Sequence, residues 1–321
     1  MADLPEITGI ICTHNRERYL ERCILSLLEQ SIVSEKYEIL VIDNGSTDST
    51  EEICQRFLHH SNFRYIFEPV LGLSQARNTG WKNAKGKYVG YIDDDATADH
   101  LWFEKSLEAF HSTSPEPEWV GGPVQLDWEV PAPVWLTEEY FGALGWVNWG
   151  REARFLEGSG EWLVGCNSLY RRDILEQMNG FDTRLGRKKK LLLSGEEVQF
   201  QHRLKAINGR LYYHPGICIF HAVPKERTEP GFFYRRYYWG GITDYIMSRT
   251  LEKICYETIG DVEEVSEGSR VKRLFQKSFQ AVGLFTSEED KVRSRIYVSY
   301  VFGWLVAVLK YSWRKMDLDT A

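Results

Sequence analysis

Tyr88-Val89-Gly90-Tyr91-Ile92-Asp93-Asp94-Asp95 is the stretch whose reading decides the fold. A run of Tyr, Val and Ile has the composition of a buried strand. Three adjacent carboxylates are costly to bury without partners. The strand is therefore expected to end at the carboxylates, which project from its C-terminal edge, where open α/β sheets carry their ligands. Side chains alternate along an extended backbone, so Asp93 and Asp95 point one way and Asp94 the other. Two carboxylates on one side form a hard-oxygen site suited to Mg²⁺ or Mn²⁺. Standing alone, the triplet reads equally well as a solvated acidic turn.

The segments upstream repeat the same design. Ile7–Cys12, Tyr37–Ile42 and Phe63–Phe67 are short apolar runs of strand length. Between them, Arg18–Glu29 places Leu20, Ile24, Leu27 and Leu28 at helical spacing, a second helix follows Ser46 or Asp48 to about Leu58, and a third spans Gly72–Asn83. Strand–helix alternation at these intervals implies βαβ units, a parallel sheet and right-handed crossovers. The polar loops Thr13-His14-Asn15-Arg16 and Asp43-Asn44-Gly45-Ser46-Thr47-Asp48 then fall at the same sheet edge as the carboxylates. Two glycine-rich phosphate cradles are excluded. Gly80 to Gly86 has five intervening residues and Tyr88 where a P-loop has four and Ser or Thr. No G-x-G-x-x-G follows the first strand.

Downstream, Leu101–Phe110 is a helix by its pattern and Pro115-Glu116-Pro117 breaks the chain. The region from Val120 is rich in Trp and Pro and reads as loops over the sheet edge, followed by a strand over Glu161–Tyr170 and a short helix over Arg172–Met178. Ser194-Gly195-Glu196-Glu197 opens another helix. Ser194 as N-cap with Glu197 three residues on makes a capping box, and the helix dipole favours acids there, which also keeps a carboxylate ionised and aimed above the helix. Lys188-Lys189-Lys190 just before it reads as a solvated basic loop. Gly209–Phe220 is a further strand with His221 at its end. From Arg227 the chain turns helical, broken by a polar stretch at Gly260–Arg270. The last helix, Ile296–Leu309, is apolar all round and flanked by Arg293, Arg295, Lys310, Arg314 and Lys315. It is short for a bilayer span. Burial, a partner chain and a membrane surface are all compatible with it.

Bulk composition narrows the function classes. A net charge of −7 lacks the basic footprint of a general nucleic-acid binder, so no nucleic-acid partner is expected. The 11 Trp, 17 Tyr and 16 Phe supply flat faces suited to sugars, although any single ring is first a core residue. The six cysteines form no C-x-x-C pair, which argues against zinc ribbons and dithiol redox chemistry and fits buried thiols in a reducing cytosol. The start, Met1-Ala-Asp-Leu-Pro-Glu, carries no apolar h-region, so no secretory signal is expected.

These motifs, in this order, resemble the inverting glycosyltransferases of family 2, which have the GT-A fold. The resemblance covers roughly residues 5 to 225. It rests on Thr13-His14-Asn15, on Val41-Ile42-Asp43-Asn44-Gly45-Ser46-Thr47-Asp48, on Gly72–Asn78 leading into Asp93-Asp94-Asp95 as a D-x-D, and on Gly195-Glu196-Glu197 as the base motif. The fold it implies is α/β: a GT-A-type mixed, mostly parallel sheet flanked by helices with a Rossmann-like nucleotide half, plus a C-terminal helical region. The implied organisation is a glycosyltransferase domain over 1–225, divided into a nucleotide-sugar half (1–118) and an acceptor half (119–225), with helices over 226–321. The resemblance implies that Thr13, Asn15, Asp43, Asn44, Arg77, Asp93 and Asp94 bind the nucleotide sugar. It implies that Asp93, Asp95 and His221 hold a divalent metal, Mn²⁺ or Mg²⁺, and that Glu197, with Glu196 beside it, takes the base position. Asn44 stands where the family often has Asp, and Glu197, one methylene longer, where Asp is usual.

The implied reaction moves a sugar from a nucleotide-diphosphate sugar to a hydroxyl of a saccharide or lipid-linked acceptor in polysaccharide or cell-surface glycan synthesis. The implied setting is the cytoplasm, peripheral to the membrane or in a homo-oligomer through the C-terminal helices. The chemistry agrees: the leaving diphosphate gains charge, which a divalent cation stabilises, and the attacking hydroxyl loses a proton, which one carboxylate takes. A nucleotidyltransferase acting on a sugar phosphate also uses acidic pairs on α/β sheets but leaves Glu196-Glu197 without a task. A non-catalytic carbohydrate-binding protein would not need both acidic motifs intact.

Overall fold

The computed structural model describes residues 4–158, 160–188, 191–259 and 287–311. Strands β1 (Ile7–Thr13), β2 (Tyr37–Asp43), β3 (Phe63–Phe67) and β4 (Tyr88–Asp93) alternate with helices α1 (Glu17–Leu28), α2 (Thr50–Gln55) and α3 (Leu73–Asn83). The four strands pair in parallel in the order β3-β2-β1-β4. β2 is buried at every position, as expected of a strand covered on both faces. The α1 residues Leu20, Ile24 and Leu27 are completely buried on one side of the sheet.

The second half extends this sheet and adds another. After β5 (Ala96–Ala98) come α4 (Trp102–Ser112), β6 (Trp119–Gly121), β7 (Val124–Trp128), β8 (Arg154–Phe155), β9 (Asn167–Arg171), α5 (Arg172–Gln177), α6 (Glu196–Ala206), β10 (Leu211–Tyr213) and β11 (Ile219–Val223). The main sheet continues β4-β9-β6-β10-β8, with β9 antiparallel to both of its neighbours. The small sheet has the order β5-β11-β7. The architecture is the mixed, mostly parallel α/β sheet expected.

Several expectations are corrected. The strand expected over Glu161–Tyr170 starts only at Asn167, because Gly165-Cys166 form a turn closed by an Asn167 N–H to Val164 carbonyl bond of 3.0 Å. The strand expected over Gly209–Phe220 is two strands in different sheets, because Pro215-Gly216 forces a turn closed by Ile217 N–H on the His214 carbonyl. His221 therefore lies inside β11, not beyond a strand end. The Trp-rich region is largely irregular but also supplies β6 and β7. Gly260–Arg270, Lys189, Lys190, Arg314 and Lys315 lie outside the described residues.

Helix α7 (Pro230–Ile259) packs along α8 (Glu288–Tyr311). They approach most closely at Gly241 and Gly303, where an added Cβ would run into backbone atoms of Tyr300 and Tyr238. Helix α8 is longer than the expected Ile296–Leu309. The added N-terminal part opens on an acidic first turn, with Glu288, Glu289 and Asp290. Phe233 and Ile296 form a core with Trp135, Leu136, Leu144 and Val223, which ties both helices to the Trp-rich segment and to β11.

Asn167, fully buried, joins four elements. Its Oδ1 accepts from Trp102 Nε1 at 2.8 Å, and its Nδ2 donates to the carbonyls of Pro123 and Ile217. The N167A variant strands the Trp102 indole N–H and the Ile217 carbonyl, while the Pro123 carbonyl keeps the Ile219 N–H, so urea unfolding is expected to show a loss of about 3 kcal/mol. A loss below about 1 kcal/mol contradicts this role.

Candidate active site

The carboxylate triplet sits where β4 ends at Asp93 and the chain turns through Asp94 and Asp95 into β5. β5 pairs antiparallel with β11, setting Ala96 opposite His221, and the Ala222 N–H donates to the Asp95 carbonyl at 2.9 Å. This pairing carries an imidazole to the carboxylates from more than 120 residues away. One ligand atom each from Asp93, Asp95 and His221 lies within 4.8 Å of the others. His221 Nε2 is 3.1 Å from Asp95 Oδ1 and 3.9 Å from Asp93 Oδ2, while its buried Nδ1 has no hydrogen-bond partner. Two carboxylate oxygens and an imidazole nitrogen are a donor set that fits a divalent cation such as Mn²⁺.

Two arginines offset the negative charge. Arg227 donates to Asp95 Oδ2 at 2.6 Å. Arg16 lies 3.7 Å from the same oxygen and 3.9 Å from Asp94 Oδ1. Burial raises the Asp95 carboxyl, but His221 and Arg227 outweigh it and hold the group well below the usual carboxylate range. Asp94 is pushed up to about 7 by burial and by Asp95, against the pull of Arg16 and the Thr13 hydroxyl. Asp94 stays outside the His221 cluster and, among the described residues, pairs with Arg16 alone, while Asp93 and Asp95, as expected, meet at His221.

Arg77 on α3 connects this cluster to the acids of α6. Its Nη1 donates to Glu196 Oε1 at 2.6 Å and its Nη2 lies 3.9 Å from Asp93 Oδ1. The guanidinium is buried between the rings of Tyr91 and Phe181, with centroids 5.8 and 5.6 Å away. Any side chain at position 165 would strike it, since a Cβ there falls 2.7 Å from Nη2. Although burial opposes charge on Arg77, Glu196, Asp93 and Glu197 hold it firmly protonated.

The α6 start differs from the expected capping box. Gly195, at φ +96°, occupies the cap, and Ser194 makes no cap bond; its hydroxyl accepts from Arg236 Nη1 at 3.1 Å. Helix α7 packs so close that a Cβ on Gly195 would meet the Thr243 side chain at 2.9 Å. Glu197 is partly exposed, while its Oε2 is buried with no hydrogen-bond partner. Burial and Glu196 push its carboxyl up to about 7, with Arg77 opposing.

A cavity of about 220 Å³ opens beside the triplet. Thr13, His14, Arg16, Asn44, Gly72, Arg187 and all three aspartates line it. Asn15, Asp43 and Arg77, also expected to bind nucleotide, are not among the residues that line it. Asn15 accepts from the Thr47 N–H at 2.8 Å, and Asp43 accepts from the Ser46 N–H and the Tyr65 hydroxyl. The Asn44 amide donates to the Val70 carbonyl and accepts from Gly72 N–H, both at 2.7 Å, so it fixes the loop forming the cavity wall. Arg77 lies beneath the cavity. Sequence reasoning missed Arg16, Arg227, Arg187 and Arg236. The one available signal was Arg16 closing the Thr13-His14-Asn15 loop at the ligand edge; the others have no local pattern.

Residues 8–178 match the family model described as glycosyl transferase family 2. The chain is 26% identical over 252 residues to a glucosyl-dolichyl phosphate glucuronosyltransferase of Haloferax volcanii, covering 75% of this chain and 77% of that one. Among solved structures it is similar to the mannosyltransferase PcManGT from Pyrobaculum calidifontis in complex with GDP-Man and Mn²⁺, with a TM-score of 0.62 at 16% identity over 97% of this chain and 89% of that one. It is also similar to residues 1–349 of TarS from S. aureus in complex with UDP-GlcNAc, with a TM-score of 0.54 at 16% identity over 96% and 93%. With more than half of its length matched by the family model, the chain belongs to glycosyl transferase family 2 and is a glycosyltransferase.

Proposed function

We propose that the chain transfers a sugar from a nucleotide-diphosphate donor to a hydroxyl of a saccharide or glycolipid acceptor, with inversion at the anomeric carbon. The observation that carries this reading is the Arg77 bridge, which couples the Asp93–Asp95–His221 cluster to the Glu196–Glu197 helix start. Asp93, Asp95 and His221 would hold Mn²⁺ or Mg²⁺. When bound, the cation supplies Lewis-acid stabilisation for a leaving diphosphate. Thr13 and Asn44 face the cavity that would take the nucleotide. Asn15 and Asp43 hold its loops in shape, and Asp94, against Arg16, forms part of its floor.

Glu197 would act as the base. Its unpartnered Oε2 is free to accept a proton from the acceptor hydroxyl. A carboxyl pushed up to about 7 is basic enough to take that proton and ionised enough at neutral pH to be competent. One carboxylate in this role gives a single displacement and hence inversion; a retaining double displacement would need a second as nucleophile. The PcManGT complex, with GDP-Man and Mn²⁺, supports the donor and metal part of this reading. The Haloferax relative, named for a dolichyl phosphate acceptor, supports the glycolipid part.

Helix α8 supports contact with a membrane. Glu288–Lys310 is long and apolar enough to cross one by length and composition. Val298, Phe302 and Leu309 are 50%, 59% and 72% exposed along one side of it. Arg295 and Lys310 lie near the ends of that stripe, where they would meet anionic headgroups. The five described cysteines are free, in keeping with the cytoplasmic side.

Three outcomes are expected. E197Q loses about a thousandfold in kcat at pH 7.5, and the wild-type rate rises with pH through about 7 because only the ionised carboxylate accepts a proton. A flat profile, or near-wild-type turnover in E197Q, contradicts the base assignment. Nucleoside diphosphate release across a panel of sugar nucleotides requires Mn²⁺ or Mg²⁺, and D95N loses the thermal stabilisation that Mn²⁺ gives the wild type; unchanged stabilisation removes Asp95 from the metal site. In flotation assays the chain associates with vesicles containing phosphatidylglycerol, less so at high salt, and F302E releases it. Concentration-dependent dimerisation without vesicle binding assigns the stripe to a second copy of the chain.

A further inference from the structure

Among the described residues, Trp162 is the one exposed tryptophan, at 41%. A single exposed apolar side chain is ordinary, but this one is held in place. The Trp149 indole N–H donates to the Trp162 carbonyl at 2.8 Å, and Gln201 Nε2 donates to the adjacent Glu161 carbonyl at 3.0 Å. The Trp149 ring stands nearly perpendicular to that of Trp162, at 86° with centroids 5.0 Å apart. A ring fixed in this way has already lost much of the freedom that binding a ligand would otherwise cost.

The two ends of this segment place it beside the base. Gln201 follows Glu197 by one turn of α6, so both side chains lie on one face of that helix. Three residues past Trp162, Gly165 lies against the Arg77 guanidinium that holds Glu196. The chain from Glu161 to Gly165 therefore runs from Gln201 to Arg77, with Glu197 between these anchors along α6. Glu197 Oε2 and Gln201 Oε1 are both buried without hydrogen-bond partners. A carboxylate oxygen and an amide oxygen only accept, so a ligand that satisfies them must donate. Sugar hydroxyls donate; carboxylates and phosphate dianions do not.

On its other side Glu161 lines a cavity of about 660 Å³, together with Arg154, Phe155, Glu157 and Tyr212. Phe155 and Tyr212 are half-buried and meet edge to face, with centroids 5.1 Å apart. Arg154 donates two hydrogen bonds to Glu161, so these charges cancel and the exposed Glu157 leaves the lining acidic. Such a lining does not collect anions. Aromatic faces among a few planar polar groups complement a saccharide, which is apolar on its ring faces and hydroxylated at its rim.

We propose that Trp162 is the platform on which the terminal sugar ring of a saccharide acceptor stacks beside Glu197, with the preceding ring directed toward the Phe155–Tyr212 cavity. This rests on the reading of Glu197 as the base of a sugar transfer. The full chain, saturated with Mn²⁺ and UDP or GDP, is tested by saturation-transfer NMR. The probes are the methyl glycosides of glucose, galactose, mannose and N-acetylglucosamine, the disaccharides cellobiose, lactose, mannobiose and chitobiose, and farnesyl phosphate. At least one disaccharide is expected to receive saturation at its ring C–H protons and to bind more tightly than its monosaccharide. W162A weakens it by about tenfold, the scale of one aromatic stacking contact, and W162F by less. F155A brings the disaccharide to the affinity of the monosaccharide. All three variants leave nucleoside diphosphate affinity within about twofold. If W162A does not fold, 5-fluorotryptophan labelling of the wild type reads the same contact: the Trp162 resonance, assigned with W162F, shifts as the saccharide is added.

Saturation of no glycoside, or saccharide binding unchanged in W162A, overturns the proposal and leaves the donor reading standing. A W162A variant that weakens the nucleotide instead assigns the ring to the donor and also overturns it. So does Trp162-dependent binding of farnesyl phosphate with no glycoside bound, which assigns the ring to a lipid. Trp162-dependent saccharide binding in a chain that binds neither nucleotide upholds the platform and counts against the donor reading alone.

Discussion

A single buried guanidinium, Arg77, fixes the relation between the two acidic motifs of this enzyme. Glu196 and Asp93 come from segments a hundred residues apart, on a helix start and a strand end. Each would be costly to bury unpaired. With Arg77 2.6 Å from one and 3.9 Å from the other, neither can move far without leaving a buried charge uncompensated. Much of the surrounding sequence serves this bridge. Gly165 leaves room for the guanidinium, the Tyr91 and Phe181 rings cover it, and the Tyr91 hydroxyl donates to the Arg77 carbonyl. Glu196 is thus a structural acid in its contacts, and its pairing leaves Glu197 as the carboxyl with an open oxygen.

The rest of the site follows from charge balance around this fixed point. Asp95 divides its two oxygens, Oδ2 to Arg227 and Oδ1 toward His221. Asp94 shares Arg16 with Asp95. Neighbouring carboxyls therefore have opposite tendencies: Asp95 is held ionised, while Asp94 and Glu197 are raised toward neutral pH. Environments that separate the acidities of nearby groups are how one fold assigns them different tasks.

What the sequence made legible was local. The apolar run Tyr88–Ile92 ending in carboxylates, the helical spacing in α1 and the polar loops after β1 and β2 are short-range patterns, and from them the parallel half of the sheet and its ligand edge could be read. What escaped depended on long-range pairing. His221 was picked out, but as a residue beyond a strand end. Its true place inside β11 follows from pairing with β5, which no nearby residue signals. Ser194 looked like a helix cap, but α7 crosses the loop there and Arg236 takes its hydroxyl. Arg227 and Arg236 went unread, since a lone arginine carries no signature of the acid or hydroxyl it will meet. Asn44, implied to bind the nucleotide sugar, lines the cavity while its amide is held by the loop that shapes it.

The central claim is that one metal centre and one base are held in fixed relation by Arg77. Anomalous diffraction at the manganese edge, from crystals grown with Mn²⁺ and a nucleoside diphosphate, tests it most directly. The account predicts one peak among Asp93, Asp95 and His221, with Arg77 still on Glu196 and the Glu197 carboxyl facing the space beside the diphosphate. A peak bound elsewhere, or a complex in which Arg77 leaves Glu196 for the phosphates, would contradict it.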